Sequence, residues 1–196
     1  MAKFKSIAVF CGSSKGKNKV YEQAAYTLGA TMAKRGLRVV YGGSKIGLMG
    51  AVADGALAHK GEVLGVLPHF LNTREIAHDK ITELYRTNSM HERKTKMHEL
   101  SDAVIALPGG FGTLEELFEM ITWAQLGLHQ KPIGLLNVNG YYDHLQSFCR
   151  RAIEQGFVHS KNESLLLFAS TIDDLLQKMQ DFVAPPSDLD LRLEET

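Results

Sequence analysis

The stretch Ala103-Val-Ile-Ala-Leu-Pro-Gly-Gly-Phe-Gly-Thr-Leu-Glu-Glu-Leu-Phe118 contains the pattern on which the whole chain is built. Residues Ala103–Leu107 are apolar without alternation, which marks a strand buried on both faces rather than one with a wet side. Proline and glycine then break the run, and a segment of helical period follows over about 113–128. A strand passing through a glycine turn into a helix is the unit of a parallel α/β sheet. Outward from this unit the same grammar recurs. Apolar runs fall at Ser6–Cys11, Arg38–Tyr41, Val63–Leu67 and Ile133–Asn137, with a weaker one near Leu165–Phe168 and a further strand around Ile81–Tyr85. Helical periods fall at about 19–35, 47–60, 91–101, 141–155 and 171–182. The expected fold is α/β, a doubly wound parallel sheet with helices on both faces, in a single domain over residues 1–183. Ligands of such sheets sit outside the carboxyl ends of the strands, near the switch in strand order. From Ala184 onward, prolines followed by acidic and polar residues predict a poorly ordered tail over 184–196.

A chain of 196 residues suits one core. Lys+Arg and Asp+Glu are both 22, so the net charge is zero. That balance argues against nucleic acid as the partner and confines any positive patch to something small. Cys11 and Cys149 stand far apart and read as reduced thiols, although the sequence leaves a disulfide open. No apolar leader follows Met1 and no apolar run is long enough to span a membrane, so a cytoplasmic location without a membrane partner is expected. Histidines such as His69, His78, His91 and His98 stand at no metal-ligand spacing. Neither a metal nor a cofactor is expected.

Glycine-bearing turns follow three of the strands: Cys11-Gly-Ser-Ser14, Tyr41-Gly-Gly-Ser-Lys-Ile-Gly-Leu-Met-Gly50 and Pro108-Gly-Gly-Phe-Gly-Thr113. Bare N–H groups at such a turn meet the positive end of the helix dipole, a natural seat for phosphate. Glycine is common in turns for steric reasons alone, so one loop says little. Three on one sheet edge point to a nucleotide. Two fingerprints fail, however. Gly12-Ser-Ser-Lys-Gly16-Lys17 is one residue short of a Walker A loop, and Asn18 replaces its Ser/Thr. Gly110-Phe-Gly-Thr-Leu-Glu115 places a glutamate at the last glycine of GxGxxG, where helix and strand must pack closely. The loops favour a mononucleotide over a dinucleotide or ATP.

Along 113–128, Leu114, Leu117, Phe118, Ile121, Gln125 and Leu128 fall on one stripe, read as the core face. Glu116 lies away from it in the first turn. Thr113-Leu-Glu-Glu116 fits a capping box, with the glutamate reaching back to its own helix start. The alternative is a carboxylate turned toward a sugar bound beside the phosphate. Upstream, Asn88-Ser-Met-His-Glu-Arg-Lys-Thr-Lys96 opens a helix with Ser89 and Glu92 as another box. Arg93, Lys94 and Lys96 crowd its start, against the macrodipole. A solvated basic face or an anionic partner would each account for them, and the planar arginine fork suits phosphate or carboxylate.

Ser89-Met-His-Glu-Arg-Lys94 followed by Pro108-Gly-Gly-Phe-Gly-Thr-Leu-Glu-Glu116 resembles the paired SMHxRK and PGGxGTxxE motifs of the "lonely guy" (LOG) family. These are cytokinin riboside 5′-monophosphate phosphoribohydrolases, formerly labelled lysine decarboxylases. The similarity runs from about Lys5 to Asp181 and includes Cys11-Gly-Ser-Ser14, Gly47-Leu-Met-Gly50 and Ile121-Thr-Trp-Ala-Gln-Leu-Gly127. The resemblance implies a Rossmann-like homodimer that splits N6-modified or plain adenosine 5′-monophosphate with water. It places catalytic roles on Arg93 and Glu116. It places substrate contacts on Glu75, Arg93, Lys94, Gly110, Phe111, Gly112, Thr113, Leu114, Glu115, Glu116 and Thr122. Two departures bear on which base is preferred: Ser44 after Tyr41-Gly-Gly, and Leu71-Asn-Thr-Arg-Glu75 without a proline. The rival readings are a pyridoxal-phosphate lysine decarboxylase, for which no lysine stands out, and a non-catalytic nucleotide or molybdenum-cofactor carrier on the same fold.

Overall fold

The computed structural model describes residues 4–71 and 76–188. The strands are β1 (Ser6–Phe10), β2 (Arg38–Tyr41), β3 (Val63–Pro68), β4 (Glu83–Thr87), β5 (Ala103–Ala106), β6 (Ile133–Leu136) and β7 (Leu166–Ala169). They form one sheet in the order β4-β3-β2-β1-β5-β6-β7, every neighbouring pair parallel. The unalternated apolar runs are buried along their length in β1, β3, β5 and β6, as strands covered on both faces must be. The other strands fall within one residue of the expected limits at each end, whereas the edge strand β4 starts and ends two residues late; its Glu83 and Arg86 are exposed, so its apolar signal is weak.

Helices α1 (Lys19–Lys34), α2 (Gly47–Ala58) and α6 (Ile172–Asp181) pack one face of the sheet. Helices α3 (Met90–Glu99), α4 (Phe111–Gln125) and α5 (Asp143–Glu154) lie on the other. Their starts follow side-chain chemistry. The side chains of Asn18, Ser89 and Thr171 accept hydrogen bonds from Val20, Glu92 and Asp174 amides. Glu92 completes its box one residue early, accepting from the Asn88 amide at 2.7 Å.

From β1 the chain builds outward to β4 and then returns to place β5 on the other side of β1. The switch in strand order therefore lies between β1 and β5. There the turns after the two strands touch, the Gly12 amide donating to the Pro108 carbonyl at 3.0 Å. The chain makes side-chain contacts with the fold beyond residue 183. Asp188 accepts from Gln125 at 2.6 Å and pairs with Lys161 at 2.9 Å, so the chain is held to the fold as far as that residue. Residues 189–196 lie outside the described residues.

Candidate active site

At the carboxyl edge of the sheet, beside the switch point, a cavity of about 390 Å³ opens to solvent. Its walls come from the turns after β1, β2, β3 and β5 and from the first turns of α3 and α4. Cys11, Ser13, Gly42, Ser44, Arg93, Gly110, Gly112, Thr113 and Glu116 line it, with Ile46, Met49, Leu67, Leu71, Ile76 and Met90 as an apolar wall. The chain returning through Ile76–His78 is stitched to the turn after β2. Lys45 donates to the Ile76 carbonyl at 2.9 Å, and His78 to the Gly43 carbonyl at 3.0 Å.

Arg93 and Glu116 are the buried charged residues that line the cavity. Only 7% of each residue is exposed, and the Arg93 Nη1 donates to Glu116 Oε1. Arg93 Nε donates to the Val66 carbonyl at 3.2 Å, which anchors the guanidinium from the β3 side. Its seat depends on a missing side chain: a Cβ at Gly42 would lie 2.2 Å from Arg93 Nη2. Burial raises the Glu116 pKa above the ordinary carboxylate range, while Arg93 pulls it down without prevailing. A carboxylate so placed can hold or take a proton from a bound water. Burial also raises the Cys11 thiol, reinforced by the Glu116 charge, so Cys11 contributes an uncharged wall and no thiolate.

Helix α4 departs from the sequence pattern in two respects. The helix begins at Phe111 with Gly110 as its N-cap, so Thr113 stands inside the first turn and cannot cap it. Glu116 does not fold back on its own helix start but crosses to α3. The core face is also rotated. Thr113, Glu116, Leu117, Met120 and Ala124 are buried, whereas Phe118 is 38% exposed and Leu128 lies beyond the helix end. Part of the apolar stripe therefore faces outward.

The start of α4 is open. No side chain caps it, and the first intrahelical bond is from the Leu114 amide to the Gly110 carbonyl at 3.1 Å. The amides of Phe111, Gly112 and Thr113 thus belong to the set a helix leaves without internal partners. Open space surrounds Gly110 and Gly112 where a Cβ would stand. An anion is the natural occupant of such an end.

The remaining expected residues are distributed as follows. Phe111, 93% exposed, and Glu115 stand at the cavity rim. Lys94 is turned to the outer side of α4, pairing with Glu115 at 2.5 Å and Glu119 at 3.0 Å. Burial opposes the Lys94 charge, but these carboxylates outweigh it and raise its pKa. Part of the anionic partner sought for the basic helix is therefore α4 itself. Leu114 packs against the core on the α4 side, away from the cavity. Thr122 lies along α4, its hydroxyl donating to the Phe118 carbonyl at 2.7 Å, and it lines a separate apolar cleft against α5. Glu75 lies outside the described residues. The apolar wall was missed in the sequence, although its residues follow strand ends where ligands of such sheets bind.

A family model described as "Possible lysine decarboxylase" matches residues 49–179. A probable cytokinin riboside 5′-monophosphate phosphoribohydrolase of Oryza sativa subsp. japonica is 48% identical over 187 residues, covering 95% of this chain and 76% of that protein. A cytokinin riboside 5′-monophosphate phosphoribohydrolase of Arabidopsis thaliana is 47% identical over 182 residues, covering 93% of this chain and 85% of that protein. Among solved structures, a molybdenum cofactor binding protein of Rippkaea orientalis superposes with a TM-score of 0.69 at 23% identity, covering 90% of this chain and 95% of that one. The molybdenum cofactor carrier protein of Chlamydomonas reinhardtii gives 0.68 at 22%, covering 90% and 96%. These last two likenesses concern the fold alone.

Proposed function

The chain belongs to the cytokinin riboside 5′-monophosphate phosphoribohydrolase family, and from that membership we propose that it hydrolyses the N-glycosidic bond of N6-modified or plain adenosine 5′-monophosphate, releasing the purine base and ribose 5-phosphate. The observation that carries this reading is the buried Arg93–Glu116 pair beside an uncapped helix start, in one cavity. The helix start takes the 5′-phosphate. Binding energy gathered there orients the sugar so that its anomeric carbon faces Glu116.

As the bond from C1′ to the purine nitrogen breaks, its electron pair leaves with the base and positive charge develops on the ribose, as in glycoside hydrolysis. Glu116 stabilises that charge and directs a water whose oxygen bonds C1′. One proton of the water is passed on through Glu116, and the departing purine gains one in turn. Arg93 holds the Glu116 carboxylate in place through Nη1 while Nε is fixed on Val66. The apolar wall of Ile46, Met49, Leu67 and Met90 faces the space left for the base.

The same proposal includes a homodimer. Helix α5 buries none of its residues although it carries Phe148, Cys149 and Ile153. With Phe118 and Ile121 of α4 it lines an apolar cleft of about 240 Å³, and Phe148 is 64% exposed. Patches of this kind are where copies meet. Light scattering of the purified protein tests this part. Both cysteines are free, which supports a reducing, cytoplasmic setting. Among the described residues no helix is long and apolar enough to cross a membrane.

The decisive assay incubates purified protein with AMP and with isopentenyladenosine monophosphate and follows the free base by chromatography. Base release from either establishes the hydrolase, and their ratio gives the preferred base. Nucleotide bound yet recovered intact would replace it with a carrier.

A further inference from the structure

The segment Val138-Asn-Gly-Tyr-Tyr142, between β6 and α5, has no part in the site so far. Both of its tyrosine hydroxyls nevertheless end on the turn that opens α4. Asn139 and Gly140 take φ values of 53° and 69°, which fold the segment back tightly. Tyr142 is buried and its hydroxyl donates to the Leu107 carbonyl at 2.6 Å. The Tyr141 hydroxyl donates to the Gly109 carbonyl. Between them, the Gly12 amide holds the Pro108 carbonyl at 3.0 Å. Each carbonyl from Leu107 to Gly109 is thus occupied from outside the turn. The tyrosines are themselves well seated. The Tyr142 amide donates to Asn137 Oδ1 at 2.7 Å, and the Tyr141 ring packs edge-on against Tyr21 with centroids 5.8 Å apart.

A trans peptide points its carbonyl and the following amide in opposite directions, and no peptide among the described residues is cis. Tyr141 lines a small crevice with Gly12, Tyr21 and Gly109, which shares only Gly110 with the Arg93–Glu116 cavity. By holding the Gly109 carbonyl on its own side, it turns the Gly110 amide the opposite way. The Gly109–Gly110 peptide has little local resistance to flipping, because neither residue carries a Cβ. A flipped peptide would set a carbonyl oxygen against a bound phosphate.

We propose that Tyr141, backed by Tyr142, is a positioning residue that fixes the Gly109–Gly110 peptide with its amide toward the substrate 5′-phosphate. This rests on the reading that the start of α4 receives that phosphate. Tyr141 touches no reacting atom, so it acts on affinity for the phosphate and leaves the bond-breaking step alone.

The test compares wild type with Tyr141→Phe, which removes one hydroxyl from a partly exposed ring, and with Tyr142→Phe. KM and kcat for AMP, inhibition by ribose 5-phosphate and binding of adenosine are measured on each. In Tyr141→Phe, KM for AMP and Ki for ribose 5-phosphate should rise together by roughly three- to tenfold, the range of one lost neutral hydrogen bond. Its kcat should stay within about twofold, since uniform binding is what is lost, and adenosine should bind as before. Tyr142→Phe should move the same two constants in the same direction. Unchanged Ki for ribose 5-phosphate in Tyr141→Phe, or an equal loss of adenosine affinity, overturns the proposal. A wild type that ribose 5-phosphate does not inhibit removes the phosphate reading itself, and the tyrosine role falls with it.

Discussion

Replacing Glu116 by glutamine isolates the charge of the cavity from its shape. The amide keeps the length of the side chain and an oxygen that can still accept from Arg93 Nη1, and Arg93 Nε retains the Val66 carbonyl at 3.2 Å. What disappears is the negative charge and the basicity. Breaking a buried ion pair outright costs about 3–5 kcal/mol. With an acceptor kept in place, a cost of about 1–2 kcal/mol is expected. For a chain of this size that lowers the melting temperature by about 2–8 °C, leaving a folded protein to assay. Turnover should fall by about 10²–10⁴-fold, the usual worth of a positioned base. At 1.36 kcal/mol per decade this adds about 3–5.5 kcal/mol to the barrier. Chromatography of the released base gives the rate, calorimetry with ribose 5-phosphate checks that the cavity still binds, and circular dichroism checks the fold. A folded, ligand-binding Glu116→Gln protein that turns over within about tenfold of wild type would refute the role given to this carboxylate.

Arg93→Ala leaves a buried, unaccompanied carboxylate, so it should be inactive and also less stable by about 3–5 kcal/mol; thermal melting and base release measured together distinguish it from the milder Glu116→Gln. Because burial holds the Glu116 pKa above the ordinary carboxylate range, the acid limb of the kcat profile should lie above that range and vanish from the residual rate of Glu116→Gln. Away from the cavity, the rings of His98 and His129 are 5.1 Å apart, and burial lowers both pKa values, His129 to about 4. The unfolded chain then binds their protons first, so stability is full above about pH 6.5 and drains away as the pH falls toward 4. Melting curves across that window should lose their slope in part in His129→Gln.

The sheet was legible because a strand covered on both faces must be apolar at consecutive positions, and Ser6–Phe10 and Ala103–Ala106 are buried throughout. The edge strand β4, half wet, gave a blurred signal for the same reason. Residues that line the cavity could also be read, as Arg93, Glu116 and the glycines of the third turn. Their pairing could not. Arg93 and Glu116 stand 23 residues apart on separate helices, and the local grammar around Thr113 offered Glu116 a nearer partner. The face of α4 is blurred in the sequence because periodicity marks an apolar stripe without saying what covers it: Leu117 is buried in the core, whereas Phe118, 38% exposed, lines the cleft against α5. The immediate partners of Lys94 could not be read either: two carboxylates of the neighbouring helix pair with it.

The absent side chain at position 42 has a diagnostic use. Even a methyl group there would contend for the volume occupied by the Arg93 guanidinium and would also meet the Met49 sulfur at 2.9 Å. The arginine would have to swing away, and its grip on the facing carboxylate would go with it. A relative of this chain that bears any larger residue at the equivalent place should therefore be suspected of having abandoned this chemistry, whatever glycine turns and motifs it still displays.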